Sequence, residues 1–216
     1  MKVGTDGVLL GAWTDTDNAS NIADIGTGTG LIAIMLAQRC NAQVTGIEID
    51  ENAAVQAKEN MYETPWGERL KVVNEDIEVY FPHHEAEFDL IVSNPPFFNE
   101  KTKGYSERRN MARHTDGLSF ALLAKAASFM LKDKGKFSVI LPTASAGEFI
   151  GEAIKNKLNL TKRTEIITKS GNSPKRIMLE FMKCHRNDTT KLSQIILFEN
   201  GGKSKEYQSL TSDFYL

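Results

Sequence analysis

The segment Asp24-Ile25-Gly26-Thr27-Gly28-Thr29-Gly30 constrains this chain more than any other. It follows a short apolar run, Ile22 to Gly26, and precedes Leu31 to Arg39, where Leu, Ile, Met and Ala recur at helical spacing. It therefore reads as the tight turn between a strand and a helix. Glycines there accept positive φ and let backbone N–H groups approach a ligand, while the helix N-terminus adds partial positive charge. The spacing departs from G-x-G-x-x-G, because the third glycine comes one residue early and Leu31 takes the expected place. A pyrophosphate ligand is disfavoured. No Gly-Lys-Ser/Thr closes the turn either, as a Walker-type phosphate loop requires.

The same alternation continues along the chain. Gln43 to Asp50 reads as a second strand, Glu51 to Tyr62 as a helix, Leu70 to Ile77 as a third strand and Phe88 to Ser93 as a fourth. An Ala-rich helix over Leu118 to Leu131 precedes a fifth strand, Lys136 to Leu141, stopped by Pro142; a helix over Ala144 to Lys157 follows. Leu160 to Thr168 and Arg176 to Cys184 read as an antiparallel pair, joined by a turn containing Gly171, Asn172, Ser173 and Pro174. The tail reads as a strand over Ile195 to Phe198 and a short docking helix. Strands separated by helix-sized segments imply right-handed crossovers. The predicted fold is a single α/β domain spanning residues 1–216. It is a three-layer α/β/α sandwich with a Rossmann-like, mostly parallel seven-stranded sheet and an antiparallel strand near its C-terminal edge. Ligands of such sheets bind beyond the carboxyl ends of the strands. The long irregular stretch 97–117 is the expected substrate-binding loop.

Two acidic residues fall where that rule directs attention. Glu48 closes the second strand 20 residues after Gly28, where a carboxylate can accept from both ribose hydroxyls, and Asp76 near the end of the third could accept from an adenine amino group. Each alone reads as a solvated strand end. With the glycines they outline an adenosine site without phosphates. Asn94-Pro95-Pro96-Phe97 ends the fourth strand on the same rim. Its two prolines remove backbone donors and stiffen the peptide, so the segment presents acceptors: the Asn94 side-chain oxygen and the Pro95 carbonyl. That suits a planar amino group, and Phe97 offers a face on which a base can stack.

Charge bears on the partner. The total is only -2, yet residues 1–100 hold 5 basic and 17 acidic side chains whereas residues 101–216 hold 21 and 11. The basic excess begins just after the Asn94–Phe97 segment, with Lys101, Lys103, Arg108, Arg109, Arg113 and His114, and resumes later at Lys175 and Arg176. A cationic loop beside a base-binding segment would track phosphates. No run of about 18 apolar residues and no secretory h-region occurs, so a membrane or secreted location is not expected. Cys40 and Cys184 lie far apart with no histidine at zinc-ligand spacing, so neither a disulfide framework nor a metal is expected, and the cytoplasm is the expected compartment.

These residues resemble the class I S-adenosylmethionine-dependent methyltransferases, with D-I-G-T-G-T-G as the cofactor loop and N-P-P-F as the amino-group methylation motif. Within them, Met1 to Trp13 (M-K-V-G-T-D-G-V-L-L-G-A-W) is similar to the opening motif of the bacterial tRNA adenine-N6 methyltransferases that modify position 37 of a valine tRNA. The likeness continues through Met35 to Arg39, Ser93 to Phe97, Pro174-Lys175-Arg176 and Phe214-Tyr215-Leu216. The resemblance implies S-adenosylmethionine as cofactor and tRNA as partner. It implies that the Thr5 region covers the methionine end of the cofactor, that Asp24, Gly26, Gly28, Gly30, Ile49 and Asn94 line its site, that Glu48 holds the ribose, and that Asp76 with Ile77 holds the adenine. Asn94, Pro95, Pro96 and Phe97 would bind the target base. Members of that family generally carry a further segment ahead of the M-K-V-G-T-D motif, which implies that part of the cofactor lid lies ahead of Met1. Related N-P-P-F and N-P-P-Y enzymes methylate ribosomal adenine, guanine N2, DNA adenine or a glutamine side chain of a release factor, and the four-residue motif alone does not choose among them.

Overall fold

The computed structural model describes residues 4–96, 118–183 and 189–214. Nine strands form one sheet in the order β3-β2-β1-β4-β5-β7-β6-β8-β9. They are β1 Asn21–Ile25, β2 Gln43–Glu48, β3 Leu70–Asn74, β4 Phe88–Ser93, β5 Leu131–Pro142, β6 Leu158–Lys169, β7 Arg176–Lys183, β8 Lys191–Glu199 and β9 Gly202–Lys203. The first five are mutually parallel, and β7 runs antiparallel to both β5 and β6. This is the expected three-layer α/β/α arrangement with one correction: the sheet has nine strands rather than seven. The β6–β7 pair does not close it. β6 keeps a second edge, to which β8 adds in parallel, and β9 then pairs antiparallel with β8.

Two apolar clusters, one on each face, bury the sheet. On one side α4 (Ile77–Tyr80), α5 (Phe120–Met130) and α6 (Ala146–Lys155) pack on it, with Phe149 meeting Phe120, Phe137 and Phe181 in edge and tilted contacts. On the other lie α1 (Thr5–Trp13), α2 (Leu31–Arg39), α3 (Glu51–Tyr62) and α7 (Lys205–Thr211). Among the described residues no helix is long and apolar enough to cross a membrane.

Several boundaries differ from the sequence reading for identifiable reasons. The third strand stops at Asn74 rather than Ile77, because Asp76 leaves the sheet to cap α4; its carboxylate accepts from the Glu78 N–H at 2.8 Å. The fifth strand begins at Leu131, directly after α5, and its pairing with β4 shifts register between Phe88 and Leu90 where Lys134 adopts φ +64°. The opening motif, given no element from sequence, is a helix buried from Gly7 to Trp13. It runs parallel to α2: the space beside Gly7 is filled by Leu31 and Ile32 and that beside Gly11 by Met35. A Cβ on Gly11 would stand 2.8 Å from the Met35 sulfur, so the two backbones approach this closely only with glycine there. The Arg39 guanidinium closes the far end by donating to the carbonyls of Gly11 (2.7 Å) and Thr14 (2.6 Å).

Candidate active site

Parallel pairing brings the functional segments to one rim. Ile25 lies opposite Ile47 of β2 and Ser93 of β4, and Glu48 opposite Asn74 of β3, so the carboxyl ends of four neighbouring strands finish almost level. The turn after β1 is stitched to β2 by N–H groups of Gly26 and Thr27, which both donate to the Ile47 carbonyl at 2.9 and 3.1 Å. Gly28 (φ +57°) then turns its N–H onto Glu48 Oε2 at 2.8 Å, while Glu48 Oε1 accepts from the Asp50 N–H at 3.0 Å. Gly30 (φ +87°) starts α2 at a point where a Cβ would meet Met61 and Ala57 of α3. Glu48 is nearly buried, and each of its oxygens is anchored on one backbone donor with lone pairs to spare.

Asp24 is fully buried beneath this turn. Its Oδ2 accepts from the Thr27 hydroxyl at 2.7 Å, and its Oδ1 has no hydrogen-bond partner. Burial pushes its carboxyl up to about 7; the Thr27 hydroxyl and the Ala33 amide pull against that rise, and the Glu48 charge adds to it.

Asn94 follows Ser93, whose buried hydroxyl donates to the Ile25 carbonyl at 2.8 Å and so ties the end of β4 to the end of β1. The Asn94 Oδ1 is buried and has no hydrogen-bond partner among the described residues. Pro95 is buried and Pro96 exposed. A buried acceptor with no donor carries a cost of about 1–3 kcal/mol, and such an atom on a ligand-facing rim signals a donor supplied from outside. Thr5 begins α1, and Gly4 ahead of it makes no side-chain cap. Ile49 is 65% exposed beside Glu48, whereas the Ile77 side chain is buried in the core. Lys175 and Arg176 open β7 on this same rim; Lys175 is exposed, and the Arg176 Nε donates to Asp6 Oδ2 at 2.7 Å. Phe97, Lys101, Lys103, Arg108, Arg109, Arg113 and His114, with the whole of 97–117, lie outside the described residues.

The sequence reading missed the residues that hold the turn in place. Gly46 is one: a Cβ there would stand 2.7 Å from Thr27 Cγ2, so its absence lets Thr27 settle over β2 and reach Asp24. Asn60 and Asn74 are two more, donating to the carbonyls of Thr29 (2.9 Å) and Glu48 (2.8 Å). Their signal in sequence is only a small residue in a strand and two polar ones near element ends. Thr143, just past β5, carries a further buried hydroxyl without a partner. Three buried polar atoms without partners, on Asp24, Asn94 and Thr143, thus lie at or beyond the carboxyl-terminal parts of the neighbouring strands β1, β4 and β5.

Residues 4–164 match the family described as the methyltransferase small domain. The chain belongs to this family. Over its whole length it is 47% identical to a tRNA1(Val) (adenine(37)-N6)-methyltransferase of Phocaeicola vulgatus and 43% identical to one of Bacteroides fragilis, covering 91% of each relative. Among solved structures, a predicted O-methyltransferase of Agrobacterium tumefaciens superposes with a TM-score of 0.76 at 22% identity, covering 96% of both chains, which attests the fold. As a member of this methyltransferase family, the protein uses S-adenosylmethionine as its methyl donor. The site fits that cofactor. Glu48 has free lone pairs for ribose hydroxyls, the space beside Gly26 is open to close approach, and Asp24 Oδ1 is a buried acceptor without a donor among the described residues.

Proposed function

We propose that this methyltransferase acts on the exocyclic N6 of adenine in tRNA, at position 37 of a valine tRNA, with the residues of the β1–β4 rim as its active site. Relatives carrying that activity in their names align with the entire chain, which supports the substrate assignment. The observation that carries the site assignment is Asn94: its buried oxygen has no partner and stands one strand away from the Gly26–Gly30 turn.

In this reading Glu48 accepts hydrogen bonds from the ribose and, through Gly28, keeps the turn closed around the cofactor. Bound S-adenosylmethionine supplies an electrophilic methyl group that needs no further activation. The protein contributes orientation and electrostatics. Asn94 Oδ1 and the Pro95 carbonyl each accept one N–H of the target amino group. Two in-plane acceptors fix the nitrogen's orientation and raise its electron density toward the methyl carbon. The amino proton held at Asn94 Oδ1 becomes acidic as the new C–N bond forms, and it leaves to solvent afterwards. An anticodon-loop adenine is already unpaired or easily unstacked, so bringing it to Asn94 costs less than extrusion from a duplex.

Incubation with methyl-labelled S-adenosylmethionine and bulk tRNA, followed by digestion to nucleosides, tests the assignment. Label recovered as N6-methyladenosine is the expected result. Label on another nucleoside would refute the adenine assignment, and label on a release-factor glutamine would move the substrate from RNA to protein.

A further inference from the structure

The sequence places Arg176 among the phosphate-contacting cations, but its surroundings point elsewhere. Its Nε donates to Asp6 Oδ2 at 2.7 Å, a half-buried pair 170 residues apart in the chain. Asp6 lies in the first turn of α1, the helix whose start packs against the first residues of α2 just beyond Gly30. Arg176 opens β7 opposite Pro142, at the end of β5. In sheet order β1-β4-β5-β7, the pair therefore reaches from the helix beside the glycine turn to the third strand beyond it, on the side where Asn94 lies.

Among the described residues, the other side-chain hydrogen bonds of α1 act further along it. Arg39 holds the carbonyls of Gly11 and Thr14, the Trp13 indole N–H donates to the Thr164 hydroxyl at 3.0 Å, and the buried face runs from Gly7 to Trp13. Thr5 itself is exposed, and Gly4 gives the helix no side-chain cap. Among the described residues Asp6 and Arg176 give the first turn an ion pair beside the apolar packing of Gly7 and Val8 on α2.

We propose that the Asp6–Arg176 ion pair is a positioning latch that holds the first turn of α1 over the methionine end of the cofactor, and that Arg176 serves cofactor capture rather than RNA phosphate binding. The proposal rests on the methyltransferase reading above. Arg176 acts through α1 and touches neither reactant, so it is a positioning residue. A planar guanidinium suits this role because it can keep a carboxylate in fixed geometry while remaining charged at every working pH. Breaking the latch leaves α1 docked through Trp13 and Arg39 but lets its first turn fray.

Two measurements on the full chain test it: S-adenosylhomocysteine affinity by calorimetry, and the salt dependence of tRNA binding in the absence of cofactor. Arg176→Ala and Asp6→Asn should each weaken S-adenosylhomocysteine by about tenfold, and the double variant by no more than the stronger single one, because partners in one interaction are not additive. The KM for S-adenosylmethionine should rise more than kcat falls. The salt slope of tRNA binding should stay at the wild-type value, whereas removal of a phosphate-binding cation would lower it by about 0.7–0.9. Asp6→Asn preserves shape and the first-turn backbone, so it gives the answer even where Arg176→Ala fails to fold. S-adenosylhomocysteine affinity within twofold of wild type in Asp6→Asn, or a lowered salt slope with unchanged affinity in Arg176→Ala, would overturn the latch. Failure of the wild-type protein to bind S-adenosylhomocysteine would instead overturn the methyltransferase reading on which it rests.

Discussion

At the scale of single residues, the site is made of groups whose chemistry is set by what surrounds them. The role proposed for Asn94 rests on an oxygen buried without a donor among the described residues. Asn94→Ala should lower kcat at least about 100-fold, as removal of a group that orients a developing charge does, while S-adenosylhomocysteine affinity changes little. Single-turnover transfer at the wild-type rate would remove Asn94 from the reaction. Asp24 makes a pH-dependent prediction. Its folded carboxyl titrates at about 7 against 3.8 unexposed to such burial, so the folded state holds this proton more tightly than the unfolded chain. Its contribution is fully present below about pH 4 and is lost as pH rises to about 7, a swing on the order of 4 kcal/mol. Asp24→Asn removes that proton, so the variant's urea midpoint should gain on the wild type steadily from pH 4 to pH 7. A constant difference across that range would show that Asp24 is not the titrating group. The identities of Gly26, Gly28, Glu48 and Asn94 were legible in the sequence because each sits at a strand end in a recognisable spacing. The strained state of Asp24 was not, since burial and a missing donor depend on neighbours distant in the chain.

At the scale of elements, close approach decides more than propensity. Helix α2, helix α3 and strand β4 are read from the sequence with their observed bounds, because each combines a clear period with sharp ends. The third strand was overextended because Asp76-Ile77 continues a β-like run, and only the cap on Glu78 reveals that the chain has turned into α4. The opening helix α1 was missed for a related reason: it is buried nearly all round, so it has no amphipathic stripe to read. Gly46 exposes the tightest contact of the turn. Gly46→Ala places a methyl group against Thr27 and should destabilise the fold by about 1–3 kcal/mol, with weaker S-adenosylhomocysteine binding because Thr27 loses its seat. An unfolding midpoint and a cofactor affinity both equal to wild type would show that the turn can shift at no cost.

At the scale of the whole molecule, the charge division gains a spatial counterpart. The acidic first hundred residues build β1 to β4 and the cofactor turn, whereas β6 and β7 bring Lys169 and Lys175 to the same rim. Under the tRNA reading, binding should weaken steeply with salt. Neutralising Lys101, Arg108 and Arg109 together should lower the slope of log affinity against log salt by about 0.7–0.9 for each phosphate left without its cation. An unchanged slope would count against RNA tracking by this loop. The overall class of fold was legible because alternation of strand and helix leaves few topologies. The strand over Ile195 to Phe198 was legible too, but its place in the sheet was not, because β8 joins at the free edge of β6 and a pairing partner leaves no mark in the partnered sequence; the two-residue β9 was not read.

The partners of α1 have a consequence for synthesis. Trp13 rests on Thr164, Asp6 on Arg176, and the helix also packs against α7 near the end of the chain. A nascent chain that has emerged only as far as β4 already contains every residue of the glycine turn and Glu48, and it holds α1 through α2 and Arg39, but it lacks the Trp13–Thr164 and Asp6–Arg176 contacts. Ribosome-bound intermediates should therefore leave the first turn of α1 more open to proteases until β7 has left the exit tunnel. Competence to retain the cofactor would then be acquired late in translation, when the two ends of the polypeptide meet.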